Sequence, residues 1–466
     1  MTQLDTTPRM QKTLGLRAVV FFGLAYMGPL IGIAVFGIIA TESSGAAAGS
    51  MVLATAAILL TALSYGKMAK HFPASGSAYT YARKTLGAKV GFMVGWSILL
   101  DYLFIPLVIW LFGAVYLEAE FPAIPRVAWL ALFIIISTAI NILGIKVADR
   151  INIVAIAFQV SVLAIYILLS IRQIGAEDGA SALFTLEPLI GASESLGPIA
   201  SGAAIAAYVF LGFDAVSTLS EETKDAEKNI PRGIILVALL GGAIFVTAMY
   251  LLSIIEPGVP TNSDTAGSDV AQIIGGNLFA SIFLAAIISQ QFNAGIAAQA
   301  STARLTYAMG RDGLFPRAVF GKLSERYLTP VYGLVVCGAI GFLGAFVSLS
   351  TSTSFINFGA FLGFTMVNIA VIAYFWRNRQ TMTLNPLTYV VLPLAGAAID
   401  IYLLTALDDR ARNVGLIWLA IGLVWLLVLT RGFTRPTPEM HMDIHDAEAP
   451  PNHAKRGDGA EPVSTT

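Results

Sequence analysis

The sequence predicts an all-α membrane protein that crosses the bilayer twelve times, and three observations lead to this fold class. Hydrophobic residues make up 56% of the 466 positions and charged residues only 12%, against about 25% charged residues in soluble domains. Apolar runs of about 20 residues, long enough to cross the hydrocarbon core as a helix, recur along the chain. The Lys and Arg residues concentrate in alternate connecting segments, which is the charge pattern of a multi-pass membrane protein.

Each apolar run is predicted to be a transmembrane helix, because a helix satisfies its backbone N–H and C=O groups internally. The first and the sixth run carry unusual helix-breaking residues. The twelve runs cover residues 19–40, 46–68, 90–117, 127–145, 151–171, 198–219, 233–254, 276–297, 330–347, 354–375, 386–404 and 414–429.

The distribution of positive charge sets the predicted orientation. With a cytoplasmic N-terminus, the outer segments hold only four of the 28 Lys and Arg residues, namely Arg126, Arg172, Arg410 and Arg412. Because positive charge is retained in the cytoplasm during insertion, we expect both termini there and the protein in the cytoplasmic membrane. The predicted segments are an N-terminal piece (1–16), a ten-helix core (17–376), two further helices (377–433) and a disordered tail (434–466).

The sequence lacks residues that several classes of protein require for their function. The single cysteine, Cys337, cannot form an internal disulfide, and three of the four histidines lie in the polar tail, so no metal-ligating cluster is expected. No glycine-rich stretch carries the lysine of a phosphate-binding loop. A net charge of −1 gives no reason to expect a nucleic-acid partner. We therefore expect no catalytic residues, metal or cofactor, and as partners only the lipid bilayer and a small solute.

The first and the sixth run share an unusual feature. Gly28, Pro29 and Gly32 interrupt the first, and Gly212 with Asp214 interrupts the sixth. Glycine costs a helix about 1 kcal/mol and proline about 3 kcal/mol relative to alanine. Close helix packing or a simple kink would explain each break singly. Their spacing of five runs instead predicts two five-helix repeats with a transport site at the breaks.

A broken helix offers free backbone groups to a ligand. Its exposed N–H groups carry partial positive charge and its exposed C=O groups partial negative charge. We expect the N–H groups near Gly28 to face a carboxylate, and the carbonyl groups from Tyr208 to Leu211 to face an ammonium group. Such a site suits a zwitterion or an amine.

Three separated motifs resemble the amino acid–polyamine–organocation family of secondary transporters. They are "FPASGSAYTYARKTLG" (Phe72 to Gly87), "LGFDAVSTLSEETKDAEKNIPRGI" (Leu211 to Ile234) and "ARLTYAMGRDGLFPRAVFGKLSERYLTP" (Ala303 to Pro330). The resemblance implies a LeuT-like fold of five helices plus five inverted helices, followed by two peripheral helices. It also implies that the first and sixth helices are discontinuous and hold the substrate between them.

Within this family the chain is similar to the bacterial putrescine importers. The similar stretches are "GLAY" (Gly23 to Tyr26), "GFMVGWSILLDYLF" (Gly91 to Phe104), and Gln159 followed by Ser161. Those importers have an aspartate where this chain has Ala34, so an amino acid is at least as well supported as a diamine.

The family pattern also implies roles for individual residues of the breaks. Pro29, Leu30 and Ile31 replace the short Gly-Ser/Thr-Gly motif that holds a substrate carboxylate, and Tyr208 and Phe210 correspond to residues that cover the substrate. The full predicted substrate-binding set is Met27, Gly28, Pro29, Leu30, Ile31, Gly32, Asp101, Tyr102, Tyr208, Phe210, Leu211 and Asp214.

Polar residues in the apolar runs are candidates for ion coupling and gating. Asp101 and Asp214 can each carry a proton or meet an ammonium group, although a structural bond or a helix cap is an alternative for each. Predicted coupling residues are Gln159, Gln290 and Asn293, with Gln291 beside them; interhelical hydrogen bonds are the alternative. Glu221 and Glu222 are predicted to form an inner gate or a solvated surface. Asp400 is assigned no transport role.

These observations predict a permease that imports amino acids, coupled to protons, by alternating access. The alternatives are a putrescine or polyamine importer of the same family and an amino-acid sensor on the same fold. A channel is disfavoured because one chain has enough helices to enclose a site. A carrier of two six-helix halves would place corresponding features six helices apart rather than five.

Overall fold

The computed structural model describes residues 13–73, 77–144, 149–177, 179–192, 195–311, 313–324, 326–327 and 329–437. In this part of the chain, eleven helices are long and apolar enough to cross a membrane, and the shorter helix Val331–Phe346 is a twelfth candidate. The predicted all-α, multi-pass fold is therefore confirmed. Most of the N-terminal piece, most of the predicted tail and residues 74–76 of the first family motif lie outside the described residues.

The twelve spans follow one another in the order that the sequence predicts. A helix, Ser77–Leu86, lies between the second and third spans, and a 3-10 turn, Ala180–Phe184, and a short helix, Glu187–Ile190, lie between the fifth and sixth. The first span consists of Leu16–Met27, Ile31–Ala34 and Phe36–Glu42; the second to fifth are Ala47–His71, Ala88–Glu120, Arg126–Leu143 and Asp149–Glu177; the sixth consists of Leu196–Ala206, Ala207–Phe210 and Asp214–Glu221; the seventh and eighth are Ala226–Ile255 and Ala266–Arg311; the ninth is Val331–Gly341 with Phe342–Phe346; the tenth is Leu349–Asn378; the eleventh is Leu387–Val391 with Leu392–Thr405; and the twelfth is Asp409–Leu429.

Four pairs of spans that are five apart in the chain pack against each other. The second packs on the seventh, the third on the eighth and the fourth on the ninth, and the helices Leu16–Met27 and Phe36–Glu42 of the first span contact the sixth. This pairing is the pattern that two five-helix repeats produce. The eleventh span packs on the second and tenth and the twelfth on the third and tenth, so both lie at the edge of the ten-helix core.

The first and sixth spans are discontinuous, as predicted. The first stops at Met27, where Gly28 adopts φ +76° and Pro29 has no N–H group to continue the helix. The sixth changes to a 3-10 turn at Ala207, and Gly212 then adopts φ +112°. A left-handed backbone of this kind favours glycine, which explains why glycine occupies both breaks.

The lower part of the sixth span, Asp214–Glu221, is a 3-10 helix rather than an α-helix. Its hydroxyl groups supply a local reason. Ser217 donates to the carbonyl of Asp214, Thr218 to that of Ala215 and Ser220 to that of Ser217. Hydroxyl bonds to backbone carbonyls three residues earlier compete with the regular α-helical pattern.

The eighth span departs from its predicted boundaries. It runs from Ala266 to Arg311, whereas the sequence predicted residues 276–297. Gly276, the predicted start, is an internal kink with φ +68°. The apolar run was shorter than the helix, because polar residues extend the helix beyond the apolar stretch at both ends.

Candidate substrate-binding site

The two breaks meet directly at Tyr26 and Gly212. A Cβ atom added to Gly212 would overlap Cδ1 of Tyr26 and come within 2.9 Å of its Cε1 atom. Only glycine therefore lets the Tyr26 ring lie against the sixth span at this point. The ring is surrounded by the helical bundle, yet 47% of Tyr26 remains exposed. This exposed surface can contact a solute that reaches the breaks.

Gln290 of the eighth span fills part of the first break. Its Oε1 atom accepts a hydrogen bond of 3.1 Å from the N–H group of Leu30. Gly28 N–H donates to Ala25 O, and Ile31 N–H donates to Gly28 O, both at 3.2 Å. The expectation that these N–H groups are free for a carboxylate is therefore wrong for Gly28, Leu30 and Ile31. Pro29 has no N–H group to offer.

The carbonyl groups of the sixth break are also partly occupied. Tyr208 O accepts from the N–H of Leu211, and Phe210 O accepts from the N–H of Phe213, both at 3.1 Å. Each carbonyl keeps a second lone pair, so an ammonium group could still bind there. Just above the break, Asn357 of the tenth span donates to Ala204 O at 2.6 Å.

Two carboxylates and several phenol groups surround the breaks. Asp101, at the middle of the third span, interacts electrostatically with Asp214, Tyr26, Tyr102 and Tyr208. The Asp101 Oδ1 atom is buried and has no hydrogen-bond partner among the described residues. A buried carboxylate oxygen normally accepts a hydrogen bond, and this oxygen accepts none from the described residues. It is the clearest candidate for contact with a cationic ligand.

Asp214 begins the lower part of the sixth span, two residues after Gly212. The N–H of Ala215 donates to Gly212 O at 3.1 Å, and the Asp214 carbonyl accepts from Ser217 Oγ. No side chain of the described residues caps the start of this helix, whose N-cap residue is Phe213, so the helix-cap alternative gains no support. Asp214 is only partly buried, so a ligand at the break could also reach it.

Buried aromatic residues cover the breaks on two sides. Tyr208 stacks on Phe112 with ring centroids 5.9 Å apart. On the other side of the break, Tyr65 contacts Phe213 at 5.5 Å and Phe364 at 6.1 Å. Aromatic layers above and below a central site are suited to excluding water from a bound solute.

The remaining predicted substrate residues lie at or next to the first break. Met27, Leu30, Ile31 and Gly32 are buried, and Gly28 and Pro29 keep some exposed surface. The Tyr102 carbonyl accepts from Thr302 Oγ1 of the eighth span at 2.5 Å, and Ala34 O accepts from Tyr116 Oη at 3.1 Å. Leu30 and Ile31 thus pack as core residues, whereas Gly28 and Pro29 remain partly exposed.

The predicted coupling residues do not form one cluster by hydrogen bonding. Gln290 contacts the first break, Gln159 is buried in the fifth span, and Asn293 is partly buried one turn after Gln290. The Gln291 Nε2 atom is buried without a partner among the described residues. The hydrogen bond to Leu30 N–H is a structural reason for a buried amide at Gln290. The ion-coupling role of Gln159, Gln290 and Asn293 stays a prediction.

The predicted gate lies at the end of the sixth span, where the N-terminal segment attaches. The carbonyl of Glu222 accepts from the N–H groups of Thr13 and Leu14, both at 3.0 Å, and Lys224 N–H donates to Leu14 O at 2.9 Å. The side chain of Glu221 lies outside the described residues. No sequence pattern predicted this attachment.

Sequence reasoning also missed Tyr26 and Asn357. Tyr26 belongs to the quoted "GLAY" stretch and precedes the Gly28 break by two residues, so an aromatic side chain beside a break was a usable signal. Asn357 is a fully buried amide within an apolar span. Buried polar residues in membrane helices are often functional, and this rule could have singled it out.

Comparison with known proteins also indicates a transporter. A family model described as "Amino acid permease" matches residues 20–407. The chain is 39% identical over 434 residues to the low-affinity putrescine importer PlaP of Escherichia coli strain K12, covering 92% of this chain and 96% of that protein. It is 28% identical to the branched-chain amino acid permease BcaP of Bacillus subtilis strain 168, covering 90% and 91%. It is 27% identical to the methylthioribose transporter of the same organism, covering 91% and 96%.

Proposed function

Because this chain belongs to the amino acid permease family, we propose that it imports small primary amines across the cytoplasmic membrane by alternating access. Like its relatives, the protein is a membrane transporter and not an enzyme. A diamine of the putrescine type is the first candidate substrate, and an amino acid is the second. The observation that carries this proposal is the presence of two carboxylates, Asp101 and Asp214, beside two broken helices that touch each other.

A diamine fits the charges of the site. Its two ammonium groups would match the two carboxylates, and Tyr26, Tyr102 and Tyr208 would supply acceptor oxygens and aromatic faces for the rest of the molecule. Ala34 lacks the aspartate of the similar importers and is 1% exposed. Asp101 and Asp214 would therefore provide the negative charge from other positions. The 39% identity to a protein named as a putrescine importer supports this order of candidates.

An amino acid has one specific observation in its favour. The helix Ile31–Ala34 begins directly after the first break, and first-turn N–H groups have no partner within their own helix. The N–H of Gly32 could therefore receive a substrate carboxylate, although those of Gly28, Leu30 and Ile31 are occupied. The 28% identity to a branched-chain amino acid permease is consistent with this second candidate.

Proton coupling is the driving force that the residues of the site support best. Asp101 and Asp214 are titratable groups within the membrane, and intramembrane carboxylates serve as proton relays in many transporters. A bound proton would neutralise one carboxylate and so change the affinity for a cationic solute. We place both termini in the cytoplasm on the basis of the Lys and Arg distribution.

Uptake by purified protein in proteoliposomes tests the proposal. Radiolabelled putrescine is offered in the presence of a panel of unlabelled amino acids and polyamines. We expect saturable uptake, inhibited most strongly by diamines. Stronger inhibition by an amino acid would reverse the order of the candidates. Binding without any uptake would instead favour the amino-acid sensor.

A further inference from the structure

Asp400 forms a polar network outside the candidate substrate site. It lies in the eleventh span and is completely buried. Its Oδ2 atom accepts from Thr61 Oγ1 at 2.9 Å and from Asn368 Nδ2 at 3.0 Å. Asn368 Nδ2 also donates to Thr61 Oγ1 at 2.9 Å. The network therefore connects the second, tenth and eleventh spans.

A count of hydrogens shows that this network lacks one donor. The Thr61 hydroxyl supplies one hydrogen and the Asn368 amide supplies two, and all three are used. Two buried acceptors remain without a partner in the described part of the chain, Asp400 Oδ1 and Asn368 Oδ1. Among the described residues, no cation lies beside Asp400, so an ionised Asp400 would leave an uncompensated buried negative charge, which is strongly unfavourable.

The eleventh span is shaped to receive the Asn368 amide. Gly396 precedes Asp400 by one helical turn, and a Cβ atom at this position would lie 3.0 Å from both Nδ2 and Oδ1 of Asn368. The absence of a side chain at Gly396 lets the amide approach the backbone of the span. The same amide meets the Asp400 carboxyl through Nδ2. Close approach and hydrogen bonding thus hold the two side chains together.

We propose that Asp400 is a proton-binding site. The bound proton resides on Oδ1 and is donated to Asn368 Oδ1, while Asn368 Nδ2 donates to Asp400 Oδ2. This acid–amide pair makes two antiparallel hydrogen bonds, provides each of the two unmatched acceptors with a hydrogen and removes the buried charge. The proton thereby fastens the peripheral eleventh span to the tenth.

Asp400 is a different carboxylate from Asp101 and Asp214, which carry the proposed substrate binding and proton coupling. Tyr65 of the second span, which packs at the sixth break, interacts electrostatically with both Asp214 and Asp400. Tyr65 is a neutral phenol near pH 7 and adds no compensating positive charge. The proposal therefore stands or fails independently of which solute the protein transports.

Infrared difference spectroscopy of the full-length protein at pH 7 tests the proposal. We expect the wild-type spectrum to contain a carboxylic-acid carbonyl band, shifted in D2O, that is lost in Asp400→Asn and kept in Asp409→Asn, an exposed control. Since Asn can donate the missing hydrogen, Asp400→Asn should keep its Tm within about 2 °C of the wild type, whereas Asp400→Ala should lower it further. Loss of carboxylate bands instead of the acid band would overturn the proposal.

A double exchange, Asn368→Asp with Asp400→Asn, replaces the single variant if that variant does not fold. The exchange keeps one acid and one amide but moves the proton site to the tenth span. We expect the acid band to return and the Tm to be close to that of the wild type. An exchanged protein with only carboxylate bands would contradict the proposal.

Discussion

Replacing Gly212 by alanine should disturb the contact between the two broken helices. Its φ of +112° is disfavoured for any residue with a Cβ atom, and a left-handed backbone costs an L-residue about 1–2 kcal/mol. The new methyl group would also overlap the Tyr26 ring, and overpacking of this kind costs about 1–3 kcal/mol. We therefore expect a total cost of about 2–5 kcal/mol.

Gly258→Ala is the matched control for this substitution. Gly258 also has a positive φ, +78°, but a Cβ atom there would meet nothing within 4 Å. The control should therefore show only the backbone cost of about 1–2 kcal/mol. The difference between the two variants measures the displacement of Tyr26.

Thermal unfolding and uptake kinetics report the two consequences. Gly212→Ala should have the lower Tm of the two variants. If the clash destabilises the substrate-bound state by about 1.4 kcal/mol relative to the free protein, the KM should rise about tenfold. Equal Tm and equal KM for the two variants would refute the reasoning, because Tyr26 would then have moved without consequence.

Three further predictions concern the breaks and the driving force. Gln290→Leu leaves the Leu30 N–H group without an acceptor and should cost about 1–3 kcal/mol of stability, seen as a lower Tm than that of the exposed control Gln272→Leu. Leu211→Trp places a bulky side chain at the sixth break and should reduce kcat/KM for uptake at least about tenfold, equivalent to ~1.4 kcal/mol. The exposed control Leu168→Trp should keep wild-type uptake. Normal kinetics in Leu211→Trp would exclude substrate contact at this position. Accumulation in proteoliposomes should collapse with a protonophore and persist when sodium is replaced, and a strict sodium requirement would rule out proton coupling.

Much of the fold could be predicted because its determinants are local. The length of an apolar run specifies a membrane helix, and Gly28, Pro29 and Gly212 specify breaks through their own backbone preferences. Family motifs then added the order and pairing of the repeats. The lower part of the sixth span differs from an α-helix because several hydroxyl groups act together on its carbonyls.

The partners of the breaks could not be predicted because they are distant in the chain. Leu30 and Gln290 are 260 residues apart, and Asn357 is 153 residues from Ala204. No local pattern states that Gln290 would occupy an N–H group expected to hold substrate, or that Asn357 would occupy a carbonyl group above the sixth break. The hydrogen bonds around Asp400 could not be predicted for the same reason, since Thr61 lies 339 residues from Asp400 in the chain.

The central claim is that Asp101 and Asp214 hold the substrate between the broken helices. Its most direct test is equilibrium binding of radiolabelled putrescine to the wild type, Asp101→Asn and Asp214→Asn, with Asp409→Asn as the exposed control. The account predicts that both site variants bind at least about tenfold more weakly, equivalent to ~1.4 kcal/mol, and that the control binds as the wild type does. Unchanged affinity in both site variants would contradict it.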